Sequence, residues 1–96
     1  MTRNQPIARE ILRFRGTLDT DDFCAWVQHR ALKLGLSGSA SVEGAAVIAD
    51  VTGPPELIDA MALCCSLGPA SSWVEDVERT SLEPHHEGAN GFQLAR

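Results

Sequence analysis

Phe14-Arg15-Gly16-Thr17-Leu18-Asp19-Thr20-Asp21-Asp22-Phe23-Cys24 is the stretch in which the hydrophobic period changes from two to helical, and the fold follows from how it is read. On its N-terminal side, Ala8 to Arg15 alternates, with Leu12 and Phe14 on one side and Ile11, Arg13 and Arg15 on the other. That is the pattern of a half-buried strand, with Gly16 as its stop. On the C-terminal side, Phe23, Val27, Ala31 and Leu34 recur at helical spacing, which predicts a helix over Asp21 to Leu34. Asp21 or Asp22 is available as its N-cap, and Gly35 follows as its C-terminal stop.

Further along, Leu36 to Val42 is small and weakly patterned, Gly44 offers a turn, and Ala46 to Thr52 alternates again with Val47, Ala49 and Val51 on one face. Together they predict a β-hairpin. Gly53 and Pro54-Pro55 end that strand and pre-set a second helix with Glu56 in its first turn. Leu57, Ile58, Met61, Ala62, Cys65 and Leu67 line one side of this helix until Gly68-Pro69 stops it. Trp73 to Leu82 reads as a strand, Glu83 to Asn90 as a polar loop, and Gly91 to Ala95 as a short last strand with Phe92 and Leu94 inward. The order predicts an α+β, ferredoxin-like split βαβ sandwich, an antiparallel sheet with two helices on one face. The expected core is Leu12, Phe14, Phe23, Val27, Leu34, Val47, Val51, Leu57, Met61, Phe92 and Leu94. Residues 1–96 form one domain in this reading, with 1–7 as a flexible N-terminal segment.

Composition narrows the function. Hydrophobic residues are 44% and charged residues 22% of the 96, the balance of a soluble globular protein. The net charge of −5 repels polyanions, which argues against nucleic acid. No segment has the pattern of a signal peptide or the run of about 18 apolar residues that spans a bilayer, so the expectation is a cytoplasmic protein without a membrane anchor. Cys24, Cys64 and Cys65 are odd in number and include an adjacent pair, so reduced thiols are expected rather than a disulfide framework.

The block Phe14 to Cys24, the helix Ala25 to Leu34 and Gly35-Leu36-Ser37-Gly38 resemble the acylphosphatase family. That family runs strand, G-x-V-Q-G-V-x-F-R, a helix with V-x-x-x-A-x-x-L-G-L, and a Gly on the second strand. Val27, Ala31, Leu32, Leu34-Gly35-Leu36 and Gly38 fit it, as do Gly53-Pro54-Pro55-Glu56, Gly68-Pro69 and Gly91-Phe92, over about residues 8 to 95. In the signature loop, Gly16 and Phe23 are kept, Thr17 and Asp22 occupy unspecified positions, and Leu18 replaces Val. The Gln position is Asp19, the second Gly is Thr20, the next Val is Asp21, and the Arg is Cys24. The resemblance implies that this Arg binds the phosphoryl group beside loop N–H groups. It also implies an Asn, shortly after the second strand's Gly, that orients the attacking water. The Asn position falls within Ser39, Ala40, Ser41 and Val42, none of which is Asn.

The chemistry of the residues points the same way. A phosphate cradle needs inward N–H dipoles and a cation, best supplied by the guanidinium fork, which a thiol cannot imitate. Asp19, Asp21 and Asp22 would each repel a phosphate charge at ~7 Å by on the order of 1 kcal/mol. Helix capping and compensation of the macrodipole explain these aspartates better than a cation site does. Cys24 and Arg30 have the C-x5-R spacing of cysteine phosphatases, but the intervening Ala25-Trp26-Val27-Gln28-His29 is helical and glycine-free rather than an open N–H loop. Cys24 is therefore read as an inert small residue. On a helix, Cys64 and Cys65 diverge by about 100°, one toward the core and one partly exposed. His85-His86 with Glu83 and Glu87 reads as a solvated loop and His29 as a surface residue; no metal site or cofactor is expected. RNA-binding ferredoxin-like sheets use aromatics on the open face, which these strands lack; the Arg9, Arg13 and Arg15 stripe is explained in part by an Arg13–Asp50 pair across strands.

Three functions follow from the resemblance and its departures. The preferred one is a catalytically degenerate acylphosphatase-like domain, not an enzyme, retained as an interaction or regulatory module with an unidentified protein partner and weak or absent phosphate binding. The alternatives are an acyl-phosphate hydrolase using residues foreign to the family, and a small-ligand-binding ferredoxin-like domain.

Overall fold

The computed structural model describes residues 6–84 and 92–94. Seven elements follow one another: β1 (Ala8–Thr17), α1 (Thr20–Leu34), β2 (Ser37–Glu43), β3 (Ala46–Gly53), α2 (Pro55–Leu67), β4 (Trp73–Leu82) and β5 (Phe92–Leu94). The strands form one sheet in the order β4-β1-β3-β2-β5. The four long strands pair antiparallel, as the alternating patterns predicted. The short β5 instead pairs parallel with β2, Gly38 opposite Phe92 and Ala40 opposite Leu94, so the sheet is not wholly antiparallel. A three-residue strand can be placed by burying one side chain: Phe92 is buried, while Leu94, expected inward, is 44% exposed.

Both helices cover one face: α1 lies over β2, β3 and β5, α2 over β1, β3 and β4, and the two helices touch. Between them and the sheet sit Leu12, Phe14, Phe23, Val27, Val47, Val51, Ile58 and Met61, all fully buried. The rings of Phe14 and Phe23 are 5.3 Å apart at 58°, joining the end of β1 to the first turn of α1. Leu57 is only partly buried because it stands at the margin of its helix's apolar stripe, and Leu34 because it is the last residue of α1. Leu67 is 78% exposed rather than part of the core. No helix of the described residues is long and apolar enough to cross a membrane.

Local rules account for the element ends, with two departures from the sequence reading. Gly16 does not stop β1. The strand runs on to Thr17 through a register shift against β4 at Arg15/Gly16. Gly16 has φ +153°, and a Cβ there would lie 2.1 Å from the Trp73 carbonyl oxygen, so glycine permits the close approach of the two backbones. The N-cap of α1 is Asp19, two or three residues earlier than expected: its carboxylate accepts from the Asp22 N–H at 3.2 Å, leaving Asp21 and Asp22 in the first turn. At the other end Gly35 closes the helix in the left-handed conformation, and the Leu36 N–H reaches back to the Ala31 carbonyl at 2.9 Å. Gly44 (φ +63°) leads the two-residue turn between β2 and β3.

The open face of the sheet is closed by charge pairing. Arg9 grips Asp50 with two hydrogen bonds of 3.0 and 2.7 Å. Arg13 reaches Glu43, and Glu78 at 3.5 Å. Arg15 meets Asp76 at 2.8 Å. The expected Arg13–Asp50 pair is thus replaced by Arg9–Asp50. Asp50 stands opposite Ile11, with Arg9 and Arg13 on its two diagonals, and the twist of the sheet favours one diagonal over the other. Each arginine of the basic stripe has a carboxylate.

Candidate functional site

β1 and β2 run in the same direction, each antiparallel to the β3 between them, and both end at one edge of the sandwich. There a row of paired residues, Val77, Phe14, Val47 and Val42, crosses the sheet. The β1–α1 loop, the first turn of α1 and the β2–β3 turn therefore share one end of the molecule. The two strand ends are about 10 Å apart, two strand spacings. The sheet brings together the two segments that the sequence marked, Gly16 to Cys24 and Ser39 to Val42.

Within the first segment, Gly16 and Thr17 close β1, Leu18 packs against the core, and Asp19 caps α1. Thr20, Asp21 and Asp22 make the first turn, and Phe23 and Cys24 turn inward and are buried. Two N–H groups at this helix start are engaged within the protein. That of Asp22 donates to the Asp19 carboxylate at 3.2 Å, and that of Phe23 to the Asp19 carbonyl at 2.8 Å. The Asp19 N–H donates to the Ser72 hydroxyl at 3.1 Å, and the Ser71 hydroxyl donates to the Asp22 carboxylate. The Pro69–Ser72 turn, held by the Ser72 N–H to the Pro69 carbonyl at 3.1 Å, thus fastens the loop from the side. Sequence reading missed this serine pair: small hydroxyls between a helix stop and a strand carry no signal of a contact some fifty residues away in the chain.

Electrostatics at this end are set by carboxylates. Asp19, Asp21 and Asp22 are exposed, whereas the nearby Arg15 is turned to the open face of the sheet and paired with Asp76. Burial, with Asp21 beside it, raises the Cys24 thiol above its ordinary value, so it stays protonated and a poor nucleophile at neutral pH. Arg30, six residues on, stacks over the Trp26 ring at 4.4 Å from its centroid instead of approaching Cys24 as a phosphate partner.

In the second segment, Ala40 is buried, Ser39 and Ser41 are half-buried, and Val42 is 46% exposed, all as regular strand paired with Val47–Asp50. The remaining cysteines lie on α2. Cys64 is half-buried, and Cys65 is buried with its thiol pushed up to about 12, chiefly by desolvation. His29 is exposed, and the His85-His86 pair with Glu87 lies outside the described residues. Among the described residues, no three His, Cys, Asp or Glu side chains gather into a metal-binding set.

This arrangement has close counterparts among known proteins. The sequence model of the Acylphosphatase family matches residues 11–94. An acylphosphatase of Vibrio cholerae serotype O1 is 34% identical over 73 residues, covering 75% of this chain and 79% of that one. The crystal structure of acylphosphatase from Bacillus subtilis superposes with a TM-score of 0.86 at 20% identity, covering 93% of this chain and 99% of its own. Full-length HypF, in a phosphate- and nucleotide-bound form, superposes with a TM-score of 0.88 at 18% identity, and the match takes in the whole of this chain but 13% of HypF. With the sheet order, the loop entering α1 and the matched span in agreement, the chain belongs to the acylphosphatase family.

Proposed function

We propose that this protein is an acylphosphatase-family domain without acylphosphatase activity, kept as an interaction or regulatory module. The observation that carries the reading is the β1–α1 loop. Two of its helix-start N–H groups, those of Asp22 and Phe23, are spent on the Asp19 carboxylate and carbonyl, and the buried side chain that follows Phe23 is a protonated thiol, not a guanidinium. A phosphoryl group arriving there would meet three aspartates where it needs cations and free donors. The second segment adds no group able to hold a water for attack, since Ala40 and Val42 are apolar and Ser39 and Ser41 lie on the other side of the strand. The HypF match supports a modular use of such domains, because there the similar region is a small share of a larger chain.

The competing reading, a hydrolase working with other side chains, has the 34% identical relative named acylphosphatase in its favour. Hydrolysis of benzoyl phosphate separates the two. The purified protein should release benzoate no faster than buffer at any protein concentration. Turnover proportional to protein and surviving Cys24→Ala would establish a hydrolase with unfamiliar residues; turnover lost in Cys24→Ala would establish a thiol mechanism.

A further inference from the structure

Positive charge is distributed unevenly over this acidic chain. Among the described residues, Arg9, Arg13, Arg15 and Arg79 each hold a carboxylate, whereas Arg30 and Lys33 hold none. Both uncompensated cations stand on the second half of α1. Trp26 lies four residues before Arg30 and the exposed His29 four before Lys33, so the four side chains share one flank of the helix. The flank also carries unfilled donors. The Arg30 guanidinium lies over the Trp26 ring, and Arg30 Nε and Trp26 Nε1, both closed off from solvent, have no acceptor among the described residues. Of the guanidinium nitrogens only Nε is closed off in this way, which leaves the outer pair open to solvent. Stacking on the indole fixes the plane of the fork, so little freedom is lost when it is engaged. The charge of Arg30 is felt at the Cys65 thiol, which puts the cation at the seam between α1 and α2, and Asp59 of α2 is held by Arg79.

We propose that this flank of α1 binds an acidic segment of a partner protein, with one carboxylate on the outer edge of the Arg30 fork and a second on Lys33. The chemistry selects a carboxylate-bearing peptide over other anions. A planar carboxylate takes two parallel N–H bonds from the fork. Two cations are too few for a nucleic acid, whose binding rests on neutralising a row of phosphates, and the net charge of −5 repels a polyanion of that density. A short acidic segment avoids most of that repulsion, because Asp22, in the first turn of the same helix, stands about 12 Å of helix rise from Arg30, beyond the ~8 Å screening length at physiological salt. The inference names a partner class for the interaction-module reading and rests on it.

NMR of the intact protein, titrated at low salt with an oligoglutamate peptide of about ten residues, tests it. The indole N–H signal of Trp26 should shift and saturate near about 1 mM peptide, while that of Trp73, at the exposed start of β4, stays fixed. Lys33→Glu, at an exposed position that leaves the fold intact, should weaken the binding about tenfold, and Arg30→Gln at least as much, the effect of one charge-assisted pair. Raising the salt to about 500 mM should abolish the shift. A Trp26 signal unmoved by the peptide, or one that saturates at the same concentration in both variants, would overturn the proposal. A tighter response to oligothymidylate than to oligoglutamate would also overturn it, by assigning the flank to nucleic acid. The benzoyl phosphate assay reads the module proposal separately: turnover with a responding Trp26 would leave this surface on a working enzyme, and an unmoved Trp26 without turnover would remove the surface and keep the module.

Discussion

Replacing Gly16 by alanine puts one methyl group against the backbone of the sheet's edge strand. The new Cβ would lie 2.1 Å from the Trp73 carbonyl oxygen and 2.8 Å from the Glu75 nitrogen, and neither can turn away as a side chain could. The residue would also sit at φ +153°, which alanine rarely adopts. The backbone strain is on the order of 1–3 kcal/mol, and each β1–β4 hydrogen bond broken to relieve the clash adds about 1 kcal/mol. The expected loss is therefore about 3 kcal/mol, or about 15 °C in thermal midpoint for a domain of this size. Gly44→Ala is the matched control: φ there is +63°, but nothing lies within 4 Å of the added Cβ, so only the left-handed conformation is penalised, at about 1 kcal/mol. Urea unfolding of wild type and both variants measures the difference. If Gly16→Ala costs no more than Gly44→Ala, the close approach of β1 and β4 at the bulge is not what holds this position to glycine.

Other expectations follow from the same structure. Arg79 joins Glu10 through hydrogen bonds of 2.8 and 3.0 Å and also meets Asp59. Arg79→Met should cost about 1–2 kcal/mol in urea unfolding, mostly by leaving Glu10, 14% exposed, without its partner, while Asp59→Asn at a 68% exposed end should cost under about 0.5 kcal/mol. The Cys65 thiol is pushed from its ordinary value of 9.0 up to about 12, so between those values the unfolded chain gives up a proton that the folded one keeps. Its contribution to stability is complete below pH 9 and falls by up to about 1.4 kcal/mol per pH unit above it, a decline that Cys65→Ala should largely flatten in denaturation measured under reducing conditions. At pH 8, a disulfide reagent should titrate one thiol rapidly in the native protein, Cys64, and three after denaturation.

Periodicity made most of the fold legible, because a change from alternation to helical spacing at Asp19–Phe23 leaves few ways to arrange the segments on either side. What it could not distinguish were signals with two meanings. A glycine after an alternating run marks a strand end or a bulge, and only the approach of β4, far away in sequence, makes Gly16 the latter. Three nearby aspartates offer three caps, and the choice of Asp19 depends on how the chain leaves β1. Leu67 stands two residues after Cys65, about 200° round the helix and so away from the core, but a helix rich in apolar residues does not declare which stripe faces the sheet. At the candidate site, the residue types at Asp19 to Cys24 were readable, but the engagement of the loop by Ser71 and Ser72 was not. That contact is made by a turn whose position depends on where α2 ends and β4 begins.

Whether the β1–α1 loop can hold an anion decides between a silent site and a working one, and amide NMR under inorganic phosphate tests it most directly. The N–H signals of Leu18 to Phe23 should show no saturable shift in the wild type. The combined variant Asp19→Gln, Thr20→Gly, Asp21→Val and Cys24→Arg, which releases the Asp22 N–H from the Asp19 carboxylate and supplies a guanidinium, should acquire one. Saturable binding at the Asp22 amide of the unaltered protein would contradict this reading, because it would mean that phosphate displaces the Asp19 carboxylate and that the anion site is intact.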